Sequence, residues 1–297
     1  MFVLALAGAG VWAVQSKPVL ASSQNDVVQE VSGLKPFTAL SVSGHAEVVF
    51  KQGPEEIYTA VLSGPDDLLD LVSVASDGKT LSVIYKEPLR LTGKNRIKVT
   101  VQAPALERVE VRENAEVKVP APLSMDNLEV FASGKAEAEF TAVNVSLLKA
   151  DVRADADVEI DALACRSLEA VTADRASFES DQTVCSAADI KASGRSEASV
   201  SGISGRTVAA YGDDFAEIKL RGSVTSATLT AKGKSEVDAG SLSAETAEAT
   251  AMESAKVQVR VSGALNAQAH NRGIVEYKGW PSEVNRSGKT GNIRQDR

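Results

Sequence analysis

Acidic side chains recur in this chain at a spacing that could do chemistry. Glu137, Asp157, Glu197, Glu217 and Glu236 hold one place in a repeat of about twenty residues, and Glu139, Glu159, Glu179 and Asp238 hold the place two further on. If the repeats stack as strands, neighbouring members lie about 4.8 Å apart. A carboxylate ladder of that pitch could bind Ca²⁺ through its oxygens, or serve a polysaccharide lyase. Two residues before the first column, however, stand Lys135, Arg175, Arg195 and Lys234. Stacked like charges are destabilising, and interleaved opposite charges relieve them. The expected outcome is a charge-balanced, solvated wall. In it Arg195 and Lys234 neutralise Glu197, Glu217 and Glu236, and no metal is held tightly.

Other chemistry-bearing residues are sparse. His45 and His270 are the only histidines, far apart in the chain and without a Cys or His neighbour of ligand spacing. They read as surface or corner filler. Trp280, in "KGWPSEV", could stack on a sugar, but covering the last repeat is the commoner use and is the expectation. The sequence has no GxSxG, P-loop or CxxC motif. It therefore offers no catalytic, cofactor-binding or metal residues, and no cofactor is expected. Cys165 and Cys185 are one repeat apart and should stack. A disulfide there would contribute about 3 kcal/mol in the chain-entropy model. Against it, parallel strands separate stacked Cβ atoms by more than a disulfide prefers. Val145, Thr225 and Ala244 in the same place also suit simple inward filler, which is the expected role.

The elements that position these columns follow from the repeat. The small residue after each turn marks it: Ala115, Ala136, Ala156, Ala176, Ser196, Ala216, Ser235, Ala255 and Gly273, in steps of 18 to 21. A fixed period of this length is the signature of a solenoid. Within each unit, "AEAEF", "ADVEI", "AEIKL" and "SEVDA" alternate with period two, so the units are strands. Inward places are filled by Ala138 and Phe140, Val158 and Ile160, Ile218 and Leu220, and Val257 and Val259. A further strand runs through Leu128, Val130 and Ala132 and recurs in later units. Seven past the marker the column is weaker, with Thr183 and Ser223 polar and Val184 and Val224 directly after them. Two before the marker stand Gly134, Asp174, Gly194, Asp214, Gly233 and Asn271, with Gly44 in an early copy. These residues tolerate a left-handed backbone, so the place is a corner. Glu113, Ala154 and Glu253 break the rule, so left-handed geometry is not expected at every corner.

Composition limits the function. Aromatics are only 4% of the 297 residues and the net charge is -8, which suits a narrow core and argues against nucleic acid. "MFVLALAGAGVWAV" has the length of an export-signal core, with cleavage expected after Ala21. The first cation, Lys17, follows the apolar run instead of preceding it, and an uncleaved anchor is the alternative. A linker is expected over 22–30. Residues 31–110 should form a β region capping the coils and leading into them, with a hairpin turn at "SDGKT" and a brief helical turn in "DDLLDLV". Coils should fill 111–285, followed by a polar tail over 286–297 that frays.

The chain resembles the bacterial head GIN domain family of putative auto-transporter adhesins. The likeness runs from "EVSGLKPFTALSVSGHAEVVFKQG" through "LDLVSVASDGKTLSVIYKE" and "IKVTVQAPALERVEV" to the coils and "VEYKGWPSEVNRSGKTGNIR". It implies an all-β, right-handed β-helix with an N-terminal β cap, and it brings no catalytic residues. The expected function is an exported, non-catalytic binding or structural protein of the periplasm or cell surface. Its partner would be a surface ligand of glycan or matrix-protein type. The alternative is a carbohydrate-active enzyme, since β-helices also host polysaccharide lyases and hydrolases. An enzyme of that kind needs long loops to build a cleft, and steps of 18 to 21 residues leave no room for them.

Overall fold

The computed structural model describes residues 26–85 and 97–296. The export segment read over 1–21 lies outside them. Almost every described element is a strand, and the strands stack in parallel to form a solenoid of roughly 20 residues per coil. The coils Glu137–Val152, Asp157–Thr172, Ser177–Ala192, Glu197–Gly212, Glu217–Ala231, Glu236–Ala251 and Lys256–Ala269 follow one another, each hydrogen-bonded to the next. No helix among the described residues is long and apolar enough to cross a membrane.

Alternation explains how a continuous strand bends around a core. In the coil from Glu137, the buried positions are Ala138 and Phe140, then Val143 and Val145, then Leu148, Ala150 and Val152. Within each group every second side chain points inward. Between groups the step is three residues, which turns the chain. The column Ala138, Val158, Phe178, Ala198, Ile218, Val237, Val257 and Val275 is buried and in register from end to end. Phe178, the largest residue of the column, lies between Val158 and the small Ala198.

The seven-past column differs from its sequence reading. Thr183 is fully buried and bonds Ser180, Oγ1 to Oγ at 2.8 Å, so two polar residues satisfy each other inside the tube. Val184, beside it, is 59% exposed. In the later coil Gly222, and not Ser223, pairs with Ile203 and Leu242, which places Val224, and not Thr225, opposite Gly205 and Ala244. The nineteen-residue step from Ala216 to Ser235 shifts the register by one.

Every corner two places before a marker is left-handed, including the three exceptions. Glu113, Ala154 and Glu253 have φ of 66°, 63° and 63°, alongside Gly134 at 84°, Asp174 at 66° and Asn271 at 57°. The stack demands it, because each corner carbonyl accepts an N–H from the coil above. Asp155 donates to Gly134, Arg175 to Ala154 and Phe215 to Gly194, each at 2.8 Å. A left-handed L-residue costs about 1–2 kcal/mol, and that ladder offsets it. At Gly134 an added Cβ would meet the Glu113 backbone at 2.8 Å. Gly134→Ala is therefore expected to destabilise the protein by about 1–3 kcal/mol. Ala154→Gly should be neutral or stabilising within about 1 kcal/mol. Urea melts of the two variants check the pair.

The stack begins earlier than residue 111. Ala39–Ser43 pairs in parallel with both Thr80–Tyr85 and Arg108–Glu113, and Glu47–Gln52 with both Lys98–Ala103 and Glu116–Val119. The early "SGHAEVVF" copy is thus a coil inserted between two that follow it in sequence. Beyond it the pairing becomes antiparallel. Thr59–Pro65 lies along Lys98–Ala103, and Asp26–Glu30, expected as linker, adds a strand beside Thr59–Pro65. Val72–Ser76 forms the expected hairpin with Thr80–Tyr85, and Asp77 accepts the N–H groups of Lys79 and Thr80 at 2.8 Å. "DDLLDLV" supplies one helical turn, Asp66–Leu69. Strand pairing continues into the polar tail. Glu283–Gly288 pairs with Lys256–Ala269, and Ile293–Gln295 pairs along Val275–Tyr277 with Ile293 buried.

Candidate functional site

The lateral wall carries the columns singled out in the sequence, and the register brings them together. Glu116, Glu137, Asp157, Ser177, Glu197, Glu217, Glu236 and Lys256 stack in one column. Lys118, Glu139, Glu159, Glu179, Ser199, Lys219 and Asp238 stack in the next. Neutralisation comes from inside these columns and not from Arg195 and Lys234. Lys219 Nζ lies 2.7 Å from Glu197 and 3.1 Å from Glu217, and Lys256 Nζ lies 3.3 Å from Glu236. Lys219 reaches Glu197 across coils and Glu217 along its own strand, and Lys256 reaches Glu236 across coils.

Three carboxylates, from Glu116, Glu137 and Glu139, offer oxygens within 4.8 Å of one another. Lys118 already lies there, 2.6 Å from Glu116 and 3.3 Å from Glu139. Its hydrogen bond to Glu116 holds the ammonium well above the ordinary lysine range. Further along, acids outnumber cations. Burial pushes the Asp157 carboxyl up. Burial also raises that of Glu159, helped by Asp161 and Glu179. The column pairs are between a third and a half exposed, where such pairs contribute about 0–1 kcal/mol. Glu217→Gln should therefore change stability by less than about 1 kcal/mol. Millimolar Ca²⁺ should leave the melting temperature of both proteins unmoved; a calcium-dependent rise lost in the variant would revive a cation site.

The corner ridge, one place before each marker, has a different character. Arg175 is held by Asp155, whose Oδ2 lies 2.7 Å from Nη2. The guanidinium in turn keeps the Asp155 carboxyl below its usual range. Arg195 and Lys234 instead flank Phe215, with the guanidinium carbon 5.7 Å and the ammonium 5.1 Å from the ring centroid. Among the described residues neither cation has an ion-pair partner. Phe215 is 55% exposed, and a depression beside it is lined by Asp174, Arg175, Gly194, Arg195, Asp214 and Phe215. Sequence reading noticed the cations but passed over Phe215. The signal was present, because Phe215 is the one aromatic in a column of otherwise polar residues from Lys135 to Arg272.

The remaining singled-out residues separate. His45 sits in the early coil with its ring 6.5 Å from that of Tyr85, edge to face, while His270 is exposed at the last corners. Trp280 does not cap the last repeat: it follows the Gly279 turn (φ 90°) and is 87% exposed. Cys165 and Cys185 are directly paired across two coils and joined as a disulfide, with Cα atoms 4.6 Å apart. The filler expectation rested on Cβ spacing. The Cα separation, inside the usual 4.4–6.8 Å range, shows that neighbouring coils approach closely enough.

The family described as putative auto-transporter adhesin, head GIN domain, matches residues 36–213 and again 165–281. Its overlap with itself is what a repeating chain produces. A putative adhesin from Bacteroides fragilis is 18% identical, with 93% of this chain and 99% of that one covered and a TM-score of 0.40. A putative adhesin from Parabacteroides distasonis is 14% identical over 92% and 97%, with a TM-score of 0.49. A putative lipid binding protein from the same species is 16% identical over 93% and 98%, with a TM-score of 0.46. No curated protein matches the chain. With coils, corners and both family matches together covering most of its length, the chain belongs to the head GIN domain family of putative auto-transporter adhesins.

Proposed function

We propose that the protein is a non-catalytic, adhesin-type binding module. It acts outside the cytoplasm, in the periplasm or at the cell surface, and presents the long side of the solenoid to a glycan or matrix-protein ligand. The observation that carries this reading is the uninterrupted wall. From Glu113 to Asn271 the corners are tight left-handed turns, and each coil passes directly to the next. A polysaccharide-cleaving enzyme needs loops that rise from the coils and wall off a cleft, and these turns are too short for that. A disulfide between adjacent coils agrees with an oxidising compartment.

Purified protein applied to an array of glycans and matrix proteins tests the reading. The expected result is retention on a defined subset, with the bound saccharide recovered intact. Release of shortened or unsaturated saccharide products would contradict it in favour of an enzyme.

A further inference from the structure

We infer that the corner ridge around Phe215 is a binding site for an acidic saccharide, one that carries carboxylates or sulfates on alternate sugars. This rests on the binding-module reading and names the ligand class for one part of the wall. Three features of the ridge converge on that chemistry.

First, Phe215 is a large apolar side chain left more than half exposed at a place that every neighbouring coil gives to a polar residue. It contributes little to the core, whose seal at that corner is the buried Ala216. Second, the ring is held between Arg195 and Lys234, at 5.7 and 5.1 Å. The two cations cover its faces and are themselves oriented by it. Since they belong to coils on either side of Phe215, they lie about two strand spacings apart, roughly 9.6 Å along the axis. Third, the depression beside the ring carries acceptors as well as cations, in Asp174 and Asp214. Gly194 has no side chain to fill it.

Each feature answers a different part of one ligand. Guanidinium and ammonium take the acid groups, the carboxylates of Asp174 and Asp214 accept from sugar hydroxyls, and the exposed ring edge meets the C–H surface of the intervening sugar. A polyanion with a charge on every unit fits poorly. The cationic strip is one residue wide, and the Glu197, Glu217 and Glu236 column runs beside it two residues further along each strand. The acidic chain as a whole, at -8, disfavours nucleic acid for the same reason.

Biolayer interferometry on the protein decides the matter, with hyaluronan oligosaccharides, polygalacturonate, neutral dextran and single-stranded DNA as probes. The expected result is salt-sensitive binding of hyaluronan, weaker binding of polygalacturonate, and none of dextran or DNA. Phe215→Ala should weaken hyaluronan binding by about 3–10-fold. Arg195→Gln with Lys234→Gln should weaken it by about tenfold or more. Circular dichroism should be unchanged in both, because all three side chains are exposed. Hyaluronan binding that survives these variants, or DNA bound as well as hyaluronan, would overturn the assignment. Retention on the wider array of only a neutral glycan or a matrix protein would also overturn it while leaving the binding-module reading intact. Silence on every surface would remove both.

Discussion

A protein carrying Gly205→Val is expected to lose about 3 kcal/mol or more of stability, the upper end of what forcing atoms into a packed interior costs. Gly205 stands where the ladder between two coils is broken, between the pairs Ser180–Val200 and Ala187–Thr207. A Cβ on it would collide with the carbonyl oxygen of Cys185. That atom is backbone, in a residue tied to the coil below by the disulfide, so neither partner can step aside cheaply. Gly222 repeats the problem one coil on, against the carbonyl of Ile203 and with φ of 137°. Gly240 is the internal control, since its nearest neighbour is a flexible Asp238 side chain at 3.2 Å. Urea denaturation of Gly205→Val and Gly240→Ala should separate them widely. Similar small losses in both would mean that the coils do not close against each other at Gly205.

Loss of the Cys165–Cys185 bridge should be the second large effect. The bond closes a loop across a sequence separation of 20, which in the chain-entropy model contributes about 3 kcal/mol. At about 2–4 °C per kcal/mol for a chain of this size, reduction should lower the melting temperature by roughly 6–12 °C. The coil it pins has fewer interior apolar contacts than its neighbours. Ser180 and Thr183 stand there where Ile160 and Leu163 stand one coil earlier. The double variant Cys165→Ala with Cys185→Ala should melt like the reduced protein and become insensitive to reductant. Mass spectrometry of the untreated protein should find one pair of hydrogens fewer than the sequence requires. A melting curve that reductant does not move would sink this account of the bridge.

The architecture was legible because two periodicities coincide in the sequence. Alternation through "AEAEF" and "ADVEI" names the inward side, and the return of a small residue every twenty positions names the coil. Where the fold departed from that reading, the deciding interaction lay between coils. Ala154 and Glu253 have no preference for a left-handed backbone, yet the ladder of corner hydrogen bonds imposes it. Val224 displaced Thr225 from the interior because one coil is a residue shorter, and a fixed count from the marker misses such a shift. The early coil was recognisable from "SGHAEVVF", but its place between two later coils was not. Parallel pairing with both neighbours is a matter of topology, and no local pattern encodes it. On the wall, the charged columns could be read but not their partners. Lys219 reaches Glu197 across coils and Glu217 on its own strand, whereas counting back from the acids pointed to Arg195. Phe215 escaped notice because a single exposed aromatic gains meaning only from the cations stacked above and below it.

The central claim is that the unit of about twenty residues is one coil of a stack, so that the chain behaves as a one-dimensional array. Thermal melts followed by circular dichroism, on two deletions, test this most directly. Removing Ala136–Asp155 joins Lys135 to Ala156 and places Asp157 on Glu116, corner on corner, with the disulfide left in place. That protein should remain a β-rich, cooperatively melting solenoid one coil shorter. Removing only residues 136–145 would set the Ala154 corner against the middle of a strand and carry Arg153 and Asp155 onto the inward places of Val143 and Val145. It should lose its cooperative transition. Equal damage from the two deletions, or a better fold from the shorter one, would contradict the account.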